Sequence, residues 1–153
     1  MPSRINFELN KLRLIKSLFT TNPGYHPPAP GELIAMGVTL RNGGEFSADG
    51  GQAHFVQSFK TQAAYEMPFS LEVEFEAMFA LSSPVAFEER EPFLAQVFPQ
   101  VIFPFMREYV AETTRRAGFP PLLINQSFYP ENPDETPNGD QGGEKIVTSK
   151  WIH

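Results

Sequence analysis

The order of hydrophobic and polar positions predicts four β-strands in the first half of the chain. The clearest covers residues 70–81, where apolar odd positions alternate with mostly polar even positions that include Glu72, Glu74 and Glu76. Such alternation indicates a strand with one buried and one exposed face. Because the links between consecutive strands are short, an antiparallel meander is expected. The three other strands are predicted over residues 5–20, 32–41 and 52–65.

The first predicted strand contains an irregularity. Its apolar residues occupy odd positions up to Leu9 and even positions from Leu12 onwards. A long strand with a β-bulge has this pattern, although a helix is the competing interpretation because Leu and Lys favour helices. Residues 20–32 and the glycine-rich residues 41–51 are predicted to be loops.

Residues 98–124 predict an amphipathic helix with a defined end. Proline is tolerated in the first helical turn, so Pro99 and Pro104 predict a helix that begins near Pro104 or is kinked there. Gly118 supplies the left-handed residue that ends helices, and the two prolines that follow prevent continuation. A shorter helix is predicted over residues 87–98. In the longer helix, residues spaced three and four apart form an apolar face, which consists of Phe105, Met106, Tyr109, Val110, Thr113 and Ala117.

Composition and charge narrow the functional classes. A chain of 153 residues forms one domain. Its net charge of −6 argues against binding nucleic acid or anionic lipid, which both require clustered Lys and Arg. The chain contains 15 Phe but only 4 Tyr and 1 Trp, and no Cys. Phe buries a large apolar area without a polar group, so this excess indicates either a Phe-rich core or an exposed apolar binding surface.

The two ends of the chain differ from its middle. The first 19 residues contain scattered charges and no long apolar run, so neither a secretory signal nor a membrane span is predicted. We therefore expect a cytoplasmic protein without membrane insertion. Beyond Tyr129 the composition becomes polar and rich in Pro, Gly and acidic residues. The predicted organisation is a single domain over residues 1–129 and a mobile polar tail over residues 130–153.

No catalytic or metal-binding constellation is apparent. His26, His54 and His153 lack the spacing of metal-ligand pairs, and no nucleophile elbow or phosphate-binding glycine loop occurs. We therefore predict no metal, no cofactor and no enzymatic activity.

The three glutamates of the fourth strand have several interpretations. Glu72, Glu74 and Glu76 lie on one face of a strand, where alternate side chains are about 7 Å apart. A solvated sheet face is the simplest interpretation. A small hydrolase that uses Glu72, Glu74 or His54 is an alternative. The third interpretation is a docking surface for a basic partner, since a row of like charges accelerates and directs association.

Aromatic residues are concentrated in the last third of the chain. Burying all of them in one small monomeric core would be difficult, so some are expected to face a partner chain or a groove. They are Phe87, Phe93, Phe98, Phe103, Phe105, Tyr109, Phe119, Phe128 and Tyr129.

One long segment carries a family resemblance. Residues 101–124 read VIFPFMREYVAETTRRAGFPPLLI and are followed by NQSFY. This run resembles the hallmark of the protein-export chaperone SecB family, in which an Ile/Leu-Phe-Pro-aromatic-x-Arg-Glu helix start leads to Arg, Gly and Phe-Pro. The resemblance implies an α+β fold with a four-stranded antiparallel sheet, two helices packed on one face, and assembly as a homotetrameric dimer of dimers.

The resemblance also implies a function, the ATP-independent holding of unfolded polypeptides in apolar grooves. By the same likeness, Glu72, Glu74 and Glu76 would dock the export motor SecA. The chain departs from the family where Lys11, Arg13 and Lys16 replace acidic motor-docking residues. The alternative is therefore a SecB-like chaperone dedicated to one partner, such as an antitoxin. The groove residues predicted to bind clients are Phe98, Phe103, Phe119, Leu122, Phe87 and Phe93.

Overall fold

The computed structural model describes residues 5–26, 33–62, 67–124 and 143–150, with the backbone alone for residues 33–35 and 143–150. Its strands form one antiparallel sheet, and helix α2 packs on one face. The predicted α+β class and four-stranded antiparallel sheet are thereby confirmed. In chain order the elements are β1 (Phe7–Thr21), β2 (Leu33–Phe46), β3 (Gln52–Thr61), β4 (Phe69–Leu81), α1 (Arg90–Pro92), α2 (Phe98–Arg116) and β5 (Gly143–Lys150).

The strand order is β1-β4-β3-β2-β5. Strands β2, β3 and β4 form the predicted meander, whereas β1 pairs with β4 rather than with its neighbour in sequence, β2. This difference arises because the link after β1 is long enough to cross the sheet, which produces a Greek-key order. Strand β5, from the predicted tail, adds a fifth strand beside β2. The remaining tail residues, 130–142 and 151–153, lie outside the described residues.

Strand β1 contains the bulge predicted from its change of parity. Its register with β4 shifts between Leu9 and Lys11, and a second shift follows between Leu14 and Lys16. In a strand without a bulge, the change of parity would place Leu12 on the opposite face of the sheet from Leu9. The first bulge therefore keeps Leu12 opposite Ala77 on the helix-covered face of the sheet.

Strand β2 is longer than predicted. It continues through part of the predicted 41–51 loop to Phe46, and a tight turn then leads into β3. The prediction failed because adjacent glycines usually indicate a turn. A Cβ atom on Gly44 would collide with the carbonyl oxygen of His54 on β3, so glycine allows the two strands to approach closely here.

The two predicted helices form one unbroken helical stretch from Phe87 to Arg116. The predicted start near Pro104 is wrong, because α2 begins at Phe98 and continues through Pro104. The segment Phe93–Val97 has π-helical hydrogen bonding, in which the Phe98 N–H donates to the Phe93 carbonyl. Pro99 has no N–H to donate to the Ala95 carbonyl, so the regular α-helical ladder is interrupted at this point.

The predicted end of α2 is confirmed. Gly118 has a φ of 92°, and its N–H donates to the Arg115 carbonyl while that of Phe119 donates to the Thr114 carbonyl. These two bonds form a Schellman motif, which satisfies carbonyls at the end of the helix. Glu112 contacts Arg115 and Arg116 at 2.6 and 2.9 Å across one helical turn, where cations also favour the helix dipole.

The core lies between the sheet and α2 and is built largely from phenylalanine. Phe98 stacks on Phe79 with ring centroids 4.0 Å apart, and it also contacts Phe7, Phe46 and Phe55 at 5.7 to 6.0 Å. Much of the Phe excess therefore forms the core. The predicted apolar face of α2 differs from the buried face by about one position, since Phe105 is exposed. The buried residues of α2 are Phe98, Pro99, Ile102, Phe103, Met106, Val110 and Thr114.

Candidate functional site

Half of the six residues predicted to bind clients lie in the core of the single chain. Phe98 and Leu122 are completely buried, and Phe103 is 3% exposed. Side chains in these positions contact the sheet and support the surface above them. They are not available to an incoming polypeptide in this conformation.

The other three predicted client residues lie in different places. Phe119 is half-buried, with its ring 6.3 Å from that of Phe19 and 5.1 Å from that of Phe69. Phe93 is half-buried at the opposite end of the sheet, beside the ring of Phe46. Phe87 is 80% exposed, and the Arg90 guanidinium lies 5.8 Å from its ring centre. The fold therefore does not bring the six residues together on one surface.

The segment after α2, Phe119–Ile124, is held against the core by a buried hydroxyl and is called the exit segment below. The Thr114 Oγ1 accepts a hydrogen bond of 2.9 Å from the Leu122 N–H and donates to a carbonyl of the preceding turn. Leu122 and Ile124 are buried, whereas Leu123 between them is 54% exposed. The exit segment thus presents Leu123 and part of Phe119 on the surface, and Phe119 was predicted from the sequence.

A second apolar surface flanks the edge of β1 that has no neighbouring strand among the described residues. Of its residues, only Phe105 was among the aromatics predicted to face a partner chain or a groove. Helix α2 runs alongside β1, because Phe98 contacts Phe7 and the Tyr109 hydroxyl lies 2.7 Å from the Ser17 hydroxyl. Phe105 precedes Tyr109 by one turn and therefore lies on the same side of the helix. We call the following residues, each about two-fifths exposed, the edge strip: Leu14, Ile15 and Phe105.

The position of the second bulge could have indicated part of the edge strip. Ile15 lies where the register of β1 shifts a second time, so its side chain does not have to point towards the core. The sequence shows only that Leu14 and Ile15 are adjacent apolar residues, which cannot both point into the core of a regular strand.

The acidic row of β4 lies on the outer face of the sheet, opposite α2, and it is paired with basic residues. Glu72 accepts contacts from Lys16 of β1 at 2.6 Å and from Lys60 of β3 at 3.2 Å. Glu76 contacts Arg13 at 2.9 Å, and His54 lies 3.3 Å from it.

The outer face is therefore balanced rather than acidic. Glu74, the central residue of the row, accepts a hydrogen bond of 3.1 Å from the Ser58 hydroxyl. Five carboxylates and five cationic side chains lie on this face in the paired register of β1 to β4. They are Glu8, Glu45, Glu72, Glu74, Glu76, Lys11, Arg13, Lys16, Arg41 and Lys60.

These contacts shift the ionisation of the glutamates. Hydrogen bonds from Lys16 and Lys60 lower the pKa of Glu72 below its usual 4.5. The hydrogen bond with His54, followed by the charge of Arg13, lowers the pKa of Glu76. Carboxyls with lowered pKa values stay ionised near neutral pH and are unsuited to act as general acids. The outer face thus gives no support to the hydrolase alternative.

The lowered pKa of Glu72 predicts how stability depends on pH. A carboxyl with a lowered pKa in the folded state stabilises the fold above its usual pKa of 4.5, and this contribution is lost as the pH falls further. We expect Glu72→Gln to lower the melting temperature at pH 7 by at most about 3 °C, because exposed ion pairs contribute little. The difference in melting temperature between the variant and the parent protein should therefore narrow as the pH is lowered below 4.5. A difference that stays constant as the pH falls would contradict this origin.

Within the part of the chain that the structure describes, no group of three or more His, Cys, Asp or Glu residues could hold a metal ion. None of the helices in those ranges is long and apolar enough to cross a membrane.

Comparisons with known proteins give a consistent result. The profile of the family described as "Preprotein translocase subunit SecB" matches residues 52–129. "Protein-export protein SecB" of Hyphomonas neptunium is 32% identical over 139 residues, covering 84% of this chain and 82% of that protein. The protein of the same name from Mesorhizobium japonicum is 27% identical over 138 residues, covering 88% and 82% of the two chains.

A solved structure supports the fold. A Mycobacterium tuberculosis SecB-like chaperone, determined in complex with a peptide from an antitoxin, superimposes with a TM-score of 0.60. The match covers 78% of this chain and 89% of that chain, at 20% sequence identity. The fold is therefore that of a SecB-like chaperone. Together with the sequence matches, this shows that the chain belongs to the SecB family. The predicted family is confirmed, and a family of chaperones agrees with the prediction that this protein is not an enzyme.

Proposed function

We propose that this protein is an ATP-independent cytoplasmic chaperone that holds unfolded or nascent polypeptides on its apolar surface. The observation that carries this proposal is the set of large apolar side chains exposed on a small, well-packed domain. Such side chains offer contact area without requiring a particular hydrogen-bond geometry, which suits partners of varied sequence. Apart from Leu18 on the outer face of the sheet, they are Leu14, Ile15, Phe87, Phe105 and Leu123.

Two of these surfaces have different roles in the proposal. The edge strip lies beside the β1 edge, which no strand in the described ranges covers, and suits a second copy of the chain. This supports assembly into a homo-oligomer such as a dimer of dimers. The exit segment presents the exposed Leu123 and the half-buried Phe119, whose ring lies beside those of the half-buried Phe19 and the buried Phe69. An unfolded segment could cover these side chains without disturbing the core, so this is the proposed client-binding surface.

An aggregation assay tests the proposed function. At near-stoichiometric ratios and without ATP, the protein should slow the aggregation of a chemically denatured client. Replacing Leu123 with serine should raise the amount of chaperone required several-fold, because the exposed contact area of the exit segment is reduced. The melting temperature should stay nearly unchanged, since the side chain is 54% exposed.

Leu18 provides a matched control for this experiment. It is also 54% exposed but lies on the outer face of the sheet, opposite Glu72. Leu18→Ser should therefore leave the aggregation assay unchanged. Failure of the parent protein to protect any denatured client would reject the proposed function. Equal losses in the two leucine variants would reject the exit segment as the binding surface.

A second candidate is a chaperone dedicated to one partner, and the outer face favours it over delivery to SecA. Two of the three glutamates predicted to dock SecA, Glu72 and Glu76, are paired with Lys16, Lys60 and Arg13, which reduces the negative charge that attracts a basic partner. A SecB-like chaperone of similar fold was solved with an antitoxin peptide. Native purification should distinguish the candidates, because a dedicated chaperone retains one stoichiometric partner whereas a general one retains many.

The charge pairing predicts weak binding to SecA. At physiological salt we expect no complex between the parent protein and purified SecA at about 10 µM in sedimentation velocity. Exchanging both Arg13 and Lys16 for glutamate would free the acidic row and should strengthen any interaction at least several-fold. The control is Arg107→Glu with Arg116→Glu on α2, which changes the net charge by the same amount. Tight binding by the parent protein would contradict this prediction.

A further inference from the structure

The two edges of the four-strand sheet differ in regularity. Strand β1 forms one edge, and two register shifts interrupt its pairing with β4. Bulges of this kind twist an edge and hinder the addition of another strand. Strand β2 forms the other edge, and its pairing with β5 runs from Leu33↔Lys150 to Leu40↔Gly143 without a shift. The β2 edge thus has the geometry required to accept a further extended strand.

The present occupant of the β2 edge comes from the same chain. Eighteen residues, 125–142, separate β5 from Ile124 at the end of the exit segment. Strand β5 reads GEKIVTSK, in which Ile146 and Val147 are the two large apolar residues. Backbone hydrogen bonds give an added strand its affinity, and they depend little on its sequence. Another extended polypeptide could make the same backbone bonds.

The face of β2 that points to α2 belongs to the core of the domain. Met36, Val38 and Leu40 alternate along the paired part of β2 and are at most 1% exposed. Their burial belongs to the core, which also includes residues of β3, β4 and α2. An exchange of the edge strand would therefore leave the domain folded, as reversible binding requires.

We propose that the β2 edge is a strand-addition site for extended segments of client polypeptides, and that β5 is an intramolecular occupant which clients displace. The inference rests on the proposed chaperone function and adds a second, backbone-mediated contact to it. Because β5 belongs to the same chain, it competes as an intramolecular ligand at a high effective concentration. Short or strongly folded segments would therefore be excluded, whereas long unfolded chains that also bind the exit segment would displace β5.

Hydrogen exchange on the full chain tests the displacement directly. The probe is reduced, carboxymethylated α-lactalbumin, which stays unfolded in buffer. In the free protein, amides of Leu33–Leu40 and Gly143–Lys150 should both be protected. When the probe binds, protection should persist over Leu33–Leu40 and be lost over Gly143–Lys150. Unprotected Gly143–Lys150 amides in the free protein, or unchanged protection in the complex, would overturn the proposal.

A variant pair makes the test quantitative. Every second residue of an antiparallel strand directs its N–H group to the same neighbouring strand. The double substitution Ile146→Pro with Val147→Pro therefore removes one backbone N–H that bonds to β2, whichever of the two residues faces β2. This double variant should bind the probe at least three-fold more tightly, because the internal competitor is weakened. The control places two prolines just outside β5, as Asp140→Pro with Gln141→Pro, and should bind like the parent protein.

The outcomes separate this inference from the proposed function. If all three proteins slow aggregation and bind the probe equally, the chaperone function stands and displacement of β5 is rejected. If none binds the probe or slows aggregation, the proposed function fails and the inference fails with it. Tighter binding by the Ile146 and Val147 variant alone, together with the exchange result, supports both.

Discussion

Replacing Phe98 with alanine is expected to lower the free energy of unfolding by about 3–5 kcal/mol, the range for truncating a buried aromatic residue. Phe98 is completely buried and stacks on Phe79 at 4.0 Å with an interplanar angle of 9°. It also contacts the rings of Phe7, Phe55 and Phe93 at 5.6 to 6.0 Å, so truncation leaves a cavity where α2 meets the sheet. Urea denaturation monitored by circular dichroism measures the change.

The control for this prediction is Phe87→Ala. Phe87 is the same residue type in the same helical stretch, but it is 80% exposed, so its truncation should change the unfolding free energy by less than about 0.5 kcal/mol. The comparison also decides the role of Phe98, which was predicted from sequence to bind clients. A Phe98 variant that loses client binding but unfolds like the parent protein would contradict its assignment to the core.

Much of the sheet could be predicted because alternation is a local signal. Strand β4 was expected over residues 70–81 and is found at Phe69–Leu81, and the parity change in β1 correctly located its first bulge. The pairing of β1 with β4 is not local, since paired residues lie between 48 (Thr21 and Phe69) and 74 (Phe7 and Leu81) positions apart. Lys16 and Glu72 are complementary in charge, but their partnership follows only once these strands are known to be neighbours.

The faces of α2 illustrate a different limit. Two apolar stripes run along the helix, one through Phe105 and Tyr109 and the other through Met106 and Val110. Periodicity alone cannot decide which stripe faces the sheet, because both have the spacing of an amphipathic helix. The position of the core decides it: Met106 and Val110 are buried, whereas Phe105 is 42% exposed.

The candidate site was predictable only in part, for the same reason. The aromatic excess and the family resemblance predicted an apolar groove near the end of α2, where the structure places the half-buried Phe119 and the exposed Leu123. The same reasoning selected Phe98 and Leu122, which are buried, because residue type does not distinguish a groove from the core beneath it. Leu14 and Ile15 were missed because their exposure depends on a second bulge that has no separate sequence signal.

The edge strip leads to the second large prediction, which concerns assembly. Leu14, Ile15 and Phe105 expose apolar area beside a strand whose outer edge has no neighbour among the described residues. In a symmetric dimer each strip residue contributes twice, once from each copy. Burying the exposed two-fifths of an Ile or Phe side chain stabilises the interface by about 1 kcal/mol. Two such residues in two copies therefore contribute about 4 kcal/mol.

Changing Ile15 and Phe105 together to aspartate should consequently weaken self-association by about a thousand-fold or more, since the new charges would also have to be desolvated. Sedimentation velocity at micromolar concentration should then detect monomers that keep the circular dichroism spectrum of the parent protein. Leu123→Asp carries a comparable change at the exit segment and should leave the assembly intact. Because the two surfaces are separate, an Ile15 and Phe105 variant that remains assembled would show that the copies meet elsewhere, and the edge strip would then be free to contact clients.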